Sequence, residues 1–312
     1  MKPRVLITAK AHSSMGERFR LNGWEVVMHE SIHYEELKSV IAQYQGLIVS
    51  TRLNIDSTII DAAKELRWIG RLGSGMEIID TEYAASKSIS CFSSPEGNCD
   101  AVAEHALGLV LSLFHRVVIS SQQVKNGIWL REPNRGKELT GKTVGIIGYG
   151  HTGSRFAKLL APFQVNVLAY DKYKKGFSSS LVREVELTEI FELSDVVSLH
   201  VPLTEATYHY ADQQFFRALK RQPLFINTSR GKVVDTDALI VALDEGRISG
   251  AGIDVLENED LASYTADENV RLHSLTDRDQ VIVTPHIAGY TQEALFKMSD
   301  MLVQKLETAG ML

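Results

Sequence analysis

The sequence predicts an α/β protein built from two doubly wound, parallel-sheet lobes. Three observations carry this. Short β-branched runs alternate with amphipathic, helix-length segments along the whole chain, the pattern of parallel α/β layers. The 312 residues exceed what one hydrophobic core usually organises. The alternation also falls into two series. The first holds RVLITA (4–9), WEVVMHE (24–30), GLIVS (46–50), RWIGRL (67–72) and SISCF (88–92). The second holds TVGIIG (143–148), NVLAYD (166–171), VVSLH (196–200), PLFINTS (223–229), GAGIDV (250–255) and VIVTPH (281–286). One long helix, about 101–125, is expected between the series, and a last helix from about Thr291, with that threonine as its N-cap.

Composition narrows the partners. A hydrophobic fraction of 44% and a charged fraction of 23% describe an ordinary globular chain. A net charge of -6 gives no electrostatic reason to expect nucleic acid or an anionic membrane. The KYKK run at 172–175 reads as a solvated turn. No apolar stretch approaches the length of a membrane span. The N-terminus enters a strand without a signal-peptide core, and Cys91 and Cys99 form no metal or disulfide pattern, so a cytoplasmic protein is expected.

Residues 29–33 read HESIH, the spacing by which a helix presents two histidines to zinc in a metallopeptidase. His29 and Glu30 finish a strand run, however, and Ser31 is a plausible N-cap for a helix carrying His33. The two histidines then straddle a strand-to-helix turn, whereas a zinc peptidase needs both on one helical face. No metal site is expected.

The run TVGIIGYGHTGS places a strand before Gly148-Tyr149-Gly150-His151-Thr152-Gly153 and a helix after it. Gly148 permits the tight turn, Gly150 lets backbone approach a pyrophosphate, and Gly153 lets the helix pack on the strand. The helix N-terminus offers N–H groups to the phosphates. A second strand ends at Asp171, about twenty residues on, where a carboxylate accepts from ribose hydroxyls and repels a 2′-phosphate. The reading is a Rossmann lobe that prefers NAD.

A nicotinamide reaction needs an acid/base and a cation for an acid substrate, both at the C-terminal ends of strands. The strand ends offer Arg230, Asp254, Glu259 just beyond, and His286. Histidine suits proton transfer near neutrality, arginine supplies a fork for a planar carboxylate, and a neighbouring glutamate would stabilise an imidazolium.

From about Gly46 to Glu293 the sequence resembles the D-isomer-specific 2-hydroxyacid dehydrogenases, in their phosphoglycerate-dehydrogenase-like branch. The matching pieces are GRLGSG (70–75), SPEGNCDAVAEH (94–105), VGIIGYGHTG (144–153), HVPLTEAT (200–207), INTSRGKVVD (226–235), GAGIDVLENE (250–259) and TPHIAG (284–289). The resemblance implies Arg230 as substrate anchor, Glu259 as partner of the histidine and His286 as general acid/base. It implies cofactor contacts at the glycine loop, Asp171, Pro202, Thr228 and Ser229, with Asp254 on the nicotinamide carboxamide. It implies a substrate loop of Gly73, Ser74, Gly75 and Met76, flanked by Arg52 and Arg71 and braced by Asn98.

Three departures qualify this. Gly75-Met76-Glu77-Ile78-Ile79-Asp80 stands where the family usually has G-V-D-N-x-D. In the loop where phosphohydroxypyruvate-using relatives tend to carry arginine, Ser50-Thr51-Arg52 offers one, and Arg71 before the glycine loop matches; no segment is expected for a regulatory C-terminal domain. The resemblance implies a flavodoxin-like substrate lobe, 1–99 plus 287–312, and a Rossmann lobe, 100–286, with a cleft between them. It also implies reversible hydride transfer between NAD(H) and a small-molecule 2-oxo or D-2-hydroxy acid, of the 3-phosphoglycerate or glyoxylate/hydroxypyruvate type, in a homodimer. An NAD(H)-sensing, corepressor-like module on the same fold is the alternative.

Overall fold

All eleven predicted runs form strands, each shorter than its run, and β5 ends one residue beyond its run, at Ser93. The computed structural model describes residues 2–312. The chain divides into two units, Met1–Cys99 with Tyr290–Leu312, and Asp100–Gly289. The return to the first unit thus falls at Tyr290 rather than at 287.

In the first unit, β1 (Arg4–Ile7), β2 (Glu25–Met28), β3 (Gly46–Val49), β4 (Trp68–Arg71) and β5 (Ser90–Ser93) form one parallel sheet. Its order is β2-β1-β3-β4-β5, the flavodoxin-like order. Buried on both faces, the inner strands read as apolar runs: Val5, Leu6 and Ile7 on β1, Leu47, Ile48 and Val49 on β3. Gly46 pairs with Trp68 in register, and a Cβ there would stand 2.1 Å from the indole. The indole stacks on Phe19 at 5.7 Å. Helices α1 (Ser13–Leu21), α2 (Tyr34–Val40), α3 (Ser57–Ala62) and α4 (Thr81–Ser86) connect the strands. The C-terminal helix, Gln292–Thr308, is capped as expected, Thr291 accepting from the Ala294 N–H. Lys305 reaches back to the Ser93 carbonyl at 2.8 Å and to Glu96.

The expected single helix over 101–125 is two: α5 (Pro95–Phe114) and α6 (Val117–Lys125), bent by 62°. Arg116 takes a left-handed φ of 53° between them. Distant groups hold the break: the Lys137 N–H caps the Phe114 carbonyl at 2.8 Å, and Arg116 reaches Asn134 and Asp279. Local periodicity carries no trace of such partners. No single helix among the described residues is long and apolar enough to cross a membrane.

The second unit holds β6 (Thr143–Ile147), α7 (His151–Leu160), β7 (Asn166–Tyr170), β8 (Arg183–Glu184), α8 (Leu187–Leu193), β9 (Val196–Leu199) and α9 (Gln213–Ala218). It continues with β10 (Leu224–Asn227), α10 (Thr236–Asp244), β11 (Gly250–Ile253), α11 (Ala266–Thr276) and β12 (Val281–Val283). All seven strands are parallel, in the order β12-β11-β10-β9-β6-β7-β8. The two-residue β8 has no signal in the sequence reading. The order reverses direction at β6, between β9 and β7. Open α/β sheets bind ligands at such a switch point, outside the carboxyl ends of the strands. Gly148, Asp171, His200, Arg230, Asp254 and His286 all follow those ends.

Candidate active site

The turn after β6 fits a dinucleotide. Gly148 has a φ of 94°, and a Cβ there would lie 2.3 Å from the His200 carbonyl oxygen. A Cβ on Gly153 would lie 2.0 Å from the Gly148 carbonyl, so α7 starts against the turn itself. His151 and Thr152 open that helix. Its cap is Gly150, which brings no side chain to the first N–H groups, and open space surrounds the place its Cβ would take. A bare helix N-terminus beside open space is what a pyrophosphate requires.

Asp171 follows β7, as expected, and ties the turn together. Its Oδ2 accepts the Tyr149 N–H at 2.8 Å, and its Oδ1 accepts those of Tyr173 and Lys174, both at 2.9 Å. Burial pushes its carboxyl up, but the three N–H groups and the Lys174 charge outweigh this and hold it below the usual range. The KYKK run is more than a solvated turn: Lys174 lies over the Tyr149 ring at 5.2 Å and Lys175 over Tyr170 at 5.4 Å. The Tyr149 ring stacks on Phe177 at 4.4 Å.

Beyond β10, Asn227 builds the Arg230 turn. Fully buried, it accepts from the Ser229 N–H at 3.0 Å and hydroxyl at 2.7 Å, and donates to the Arg230 carbonyl at 3.0 Å. The sequence reading missed it, although an amide inside the apolar run PLFINTS is a signal. The Arg230 guanidinium donates to the Ser229 carbonyl at 2.7 Å. The Thr228 hydroxyl is buried without a hydrogen-bond partner, a group that a ligand could satisfy. The Pro202 carbonyl accepts from Thr207 at 2.6 Å.

His286 and Glu259 meet, Nδ1 to Oε2, at 2.8 Å. His286 has a φ of 53°, a conformation that costs a non-glycine residue roughly 1–2 kcal/mol. The surrounding turn imposes it. Asp254, expected on the nicotinamide carboxamide, is buried beneath that turn. Its carboxylate accepts from the Thr284 hydroxyl at 2.5 Å and from the N–H groups of Ile287 (3.0 Å) and Ala288 (2.8 Å). Its carbonyl accepts the His286 N–H at 2.8 Å. A buried carboxylate between three donors is an internal organiser. The other histidine at this sheet edge differs in kind. Burial pushes His200 down to about 3, so its ring is neutral, with Nε2 2.9 Å from the Ser198 hydroxyl.

In the first unit, Gly73 is dictated by Arg71: its φ is 130°, and a Cβ would lie 1.3 Å from the buried Arg71 guanidinium. The loop is braced by Ser94, which the sequence reading missed. Gly73 donates to its hydroxyl at 3.1 Å, and Ser94 N–H donates to the Gly73 carbonyl at 2.9 Å. Asn98, expected in that role, lies within α5. Ser74 is exposed and Gly75 half-buried, while Met76 packs against the unit's core. The departure Ile78-Ile79 is structural: the Ile78 carbonyl accepts the Ile55 N–H at 2.7 Å, and Ile79 is buried. Arg52 has backbone partners. Its guanidinium staples backbone, donating to the carbonyls of Ile32 (2.5 Å), Glu30 (2.7 Å) and Thr8 (3.4 Å).

The HESIH stretch straddles a turn. His29 follows β2, and α2 starts at Tyr34 with His33, not Ser31, as its N-cap. His29 lies 3.7 Å from Glu36. Among the described residues no three metal-ligating side chains cluster.

Comparison with known proteins agrees with this geometry. Residues 107–288 match the family model of the D-isomer specific 2-hydroxyacid dehydrogenase, NAD binding domain. A glyoxylate reductase of Thermofilum pendens is 37% identical, covering 90% of this chain and 84% of that one. A hydroxypyruvate reductase of Thermotoga maritima is 35% identical, covering 90% and 89%. The structure of a D-lactate dehydrogenase from Aquifex aeolicus, complexed with NAD and lactic acid, superposes with a TM-score of 0.83 at 28% identity, covering 98% and 96%. With a glycine turn fitted to a dinucleotide and matches that span nearly all of its length, the chain belongs to the D-isomer-specific 2-hydroxyacid dehydrogenases, NAD-dependent oxidoreductases acting on CH–OH donors.

Proposed function

We propose that the chain interconverts a small, unphosphorylated 2-oxo acid of the glyoxylate or hydroxypyruvate type and its 2-hydroxy acid. The observation that carries this reading is the 2.8 Å contact between His286 and Glu259, held by a strained turn at the sheet edge that bears the glycine loop. The glyoxylate reductase and the hydroxypyruvate reductase described above match most of their own length and reduce such acids by name. Arg52, the arginine of the loop after β3, donates to three backbone carbonyls.

When bound, the reduced nicotinamide supplies the hydride. Arg230 receives the substrate carboxylate in its planar fork. The imidazolium of His286 gives its proton to the carbonyl oxygen as the alcohol forms, and the neutral ring takes it back in oxidation. Glu259 holds the ring's orientation. Gly148 to Gly153, Pro202, Thr228 and Ser229 would hold the dinucleotide, with Asp171 favouring NAD over NADP. Amides of the Gly73–Met76 loop would take the substrate carboxylate, making Met1–Cys99 with the C-terminal helix the substrate-binding unit. The chain would act in the cytoplasm as a homodimer. That assembly is supported by exposed Val117, Val124, Ile128 and Trp129 on α6 and the loop after it.

The test is a panel of glyoxylate, hydroxypyruvate, phosphohydroxypyruvate, 2-oxoglutarate and pyruvate, each with NADH, followed by loss of NADH absorbance. Highest kcat/KM for glyoxylate or hydroxypyruvate is expected. A preference for phosphohydroxypyruvate overturns the substrate class, and no turnover of any acid overturns the activity.

A further inference from the structure

Two residues before Glu259 stands a second carboxylate that the chemistry above leaves idle. Glu257 is half-buried, and both of its oxygens are taken. Oε1 accepts the Thr236 N–H at 3.0 Å and its hydroxyl at 2.6 Å. Oε2 meets His209 Nε2 at 2.7 Å. Burial pushes this carboxyl up, but the hydrogen bonds from Thr236 and His209 outweigh it and hold it below the usual range, so it is ionised at neutral pH.

The partners are not scattered. Thr236 opens α10 at the far end of the segment that begins with Arg230. His209 lies against the same segment. Its N–H donates to the Lys232 carbonyl at 2.8 Å, and the next rung, the Ala211 N–H, donates to Val233 at 3.0 Å. His209 holds a left-handed φ of 48° and its ring stacks on Tyr208 at 4.1 Å. The near end of the segment rests on backbone. A Cβ on Gly231 would lie 1.9 Å from the Leu256 carbonyl oxygen and 2.6 Å from the Glu257 nitrogen. The segment that presents Arg230 is therefore seated on residues 256–257 at one end and pinned by the Glu257 side chain at the other.

Arg230 and Glu259 follow different strands, β10 and β11, and hydrogen bonds between those loops must set their spacing. Reacting groups need to be held within roughly 0.5 Å of productive geometry. We infer that Glu257 is a positioning residue: with His209 and Thr236 it locks the Arg230 turn to the arm that carries Glu259, and so fixes the anchor relative to the proton donor. This rests on the roles of Arg230 and His286 proposed above.

The experiment uses the whole chain with glyoxylate and hydroxypyruvate as probes. Glu257→Ala is expected to lower kcat/KM about 10- to 100-fold, the scale of a misplacement near 1 Å, while NADH affinity stays within about twofold. Glu257→Gln, which keeps an acceptor for Thr236 and an amide for the His209 ring, is expected to recover most of that loss. In an Arg230→Lys background the same Glu257→Ala change is expected to cost far less, because it acts through the arginine. Equal cost in both backgrounds overturns the inference and leaves Glu257 as general support of the fold.

A second readout needs no turnover. Hydrogen–deuterium exchange is expected to rise in residues 230–236 and 256–260 of the variant, and to stay unchanged over 143–153. A rise in both regions alike, or in neither, overturns the coupling. Thr236→Val, which deletes one hydroxyl, gives the same contrast if Glu257→Ala does not fold. A wild-type chain inert to every 2-oxo acid defeats the functional reading alone, and the exchange pattern still decides whether Glu257 couples the two loops.

Discussion

Reducing a 2-oxo acid requires a proton at the carbonyl oxygen as hydride reaches its carbon, and His286 can supply one only while its ring is protonated. Glu259, 2.8 Å away, holds that ring in place. Glu259→Ala removes the contact, and kcat/KM for the 2-oxo acid should fall up to about 100-fold, the scale of a misplaced reacting group, with NADH binding unchanged. An unchanged kcat/KM would separate the two residues. For Arg230 the expectation is geometric. Arg230→Lys retains charge but loses the fork, and kcat/KM for the 2-oxo acid should drop on the order of 10²–10³-fold, with NADH binding unchanged. Near-normal turnover in the lysine variant would remove Arg230 from the anchor role.

At the scale of the element, the strand β6, its glycine turn and α7 act as one piece, with Asp171 as the clasp from β7. Asp171→Ala should weaken NADH on the order of tenfold, the scale of a lost charge-assisted hydrogen bond, and NADPH much less, because the alanine variant no longer repels a 2′-phosphate. Equal loss for both nucleotides, by fluorescence titration, contradicts the assignment. Asp171 also links stability to pH. Its carboxyl is held below the usual range in the fold, so its ionised form contributes stability that is complete above the ordinary value near about 4. That contribution disappears as pH falls through the lowered value. Denaturation midpoints of wild type and Asp171→Asn should differ by a constant amount from neutrality down to about pH 5 and converge in stronger acid. A gap that persists in strong acid would show that the clasp does not depend on charge.

For the whole molecule, the bend after Phe114 sends α6 and the loop beyond it outward with Val117, Val124, Ile128 and Trp129 exposed. Trp129 is 77% exposed, an uncommon place for the largest apolar side chain unless another surface covers it. Trp129→Glu should raise the dimer dissociation constant at least about tenfold, given the roughly 1.5–3 kcal/mol that burying one large apolar side chain contributes. Sedimentation velocity over a concentration series measures it. A wild-type chain that sediments as a monomer throughout removes the assembly.

Much of this was legible in the chain itself. Parallel strands buried on both faces must be apolar runs, so VLI, LIV and VVSL announced themselves, and the register of Gly148, Gly150 and Gly153 needed only the rule that a phosphate seeks a bare helix start. Arg230, Glu259 and His286 stand out as candidates because reactive groups in such sheets follow strand ends. What the sequence could not supply were partners set by contacts between segments far apart in the chain. Asp254 stands at a strand end in the sequence, and only the fold shows the three donors of the 284–288 turn around it. Arg52 stands in the loop after β3, and only the fold shows the three backbone carbonyls it meets. Ser94, Asn227 and Glu257 are ordinary polar letters until the loops they brace are brought beside them. Periodicity and turn chemistry are local, and they decided strands, helices and the glycine turn. Which hydrogen-bonding groups a buried side chain satisfies depends on segments the fold brings together, and that only the tertiary structure decided.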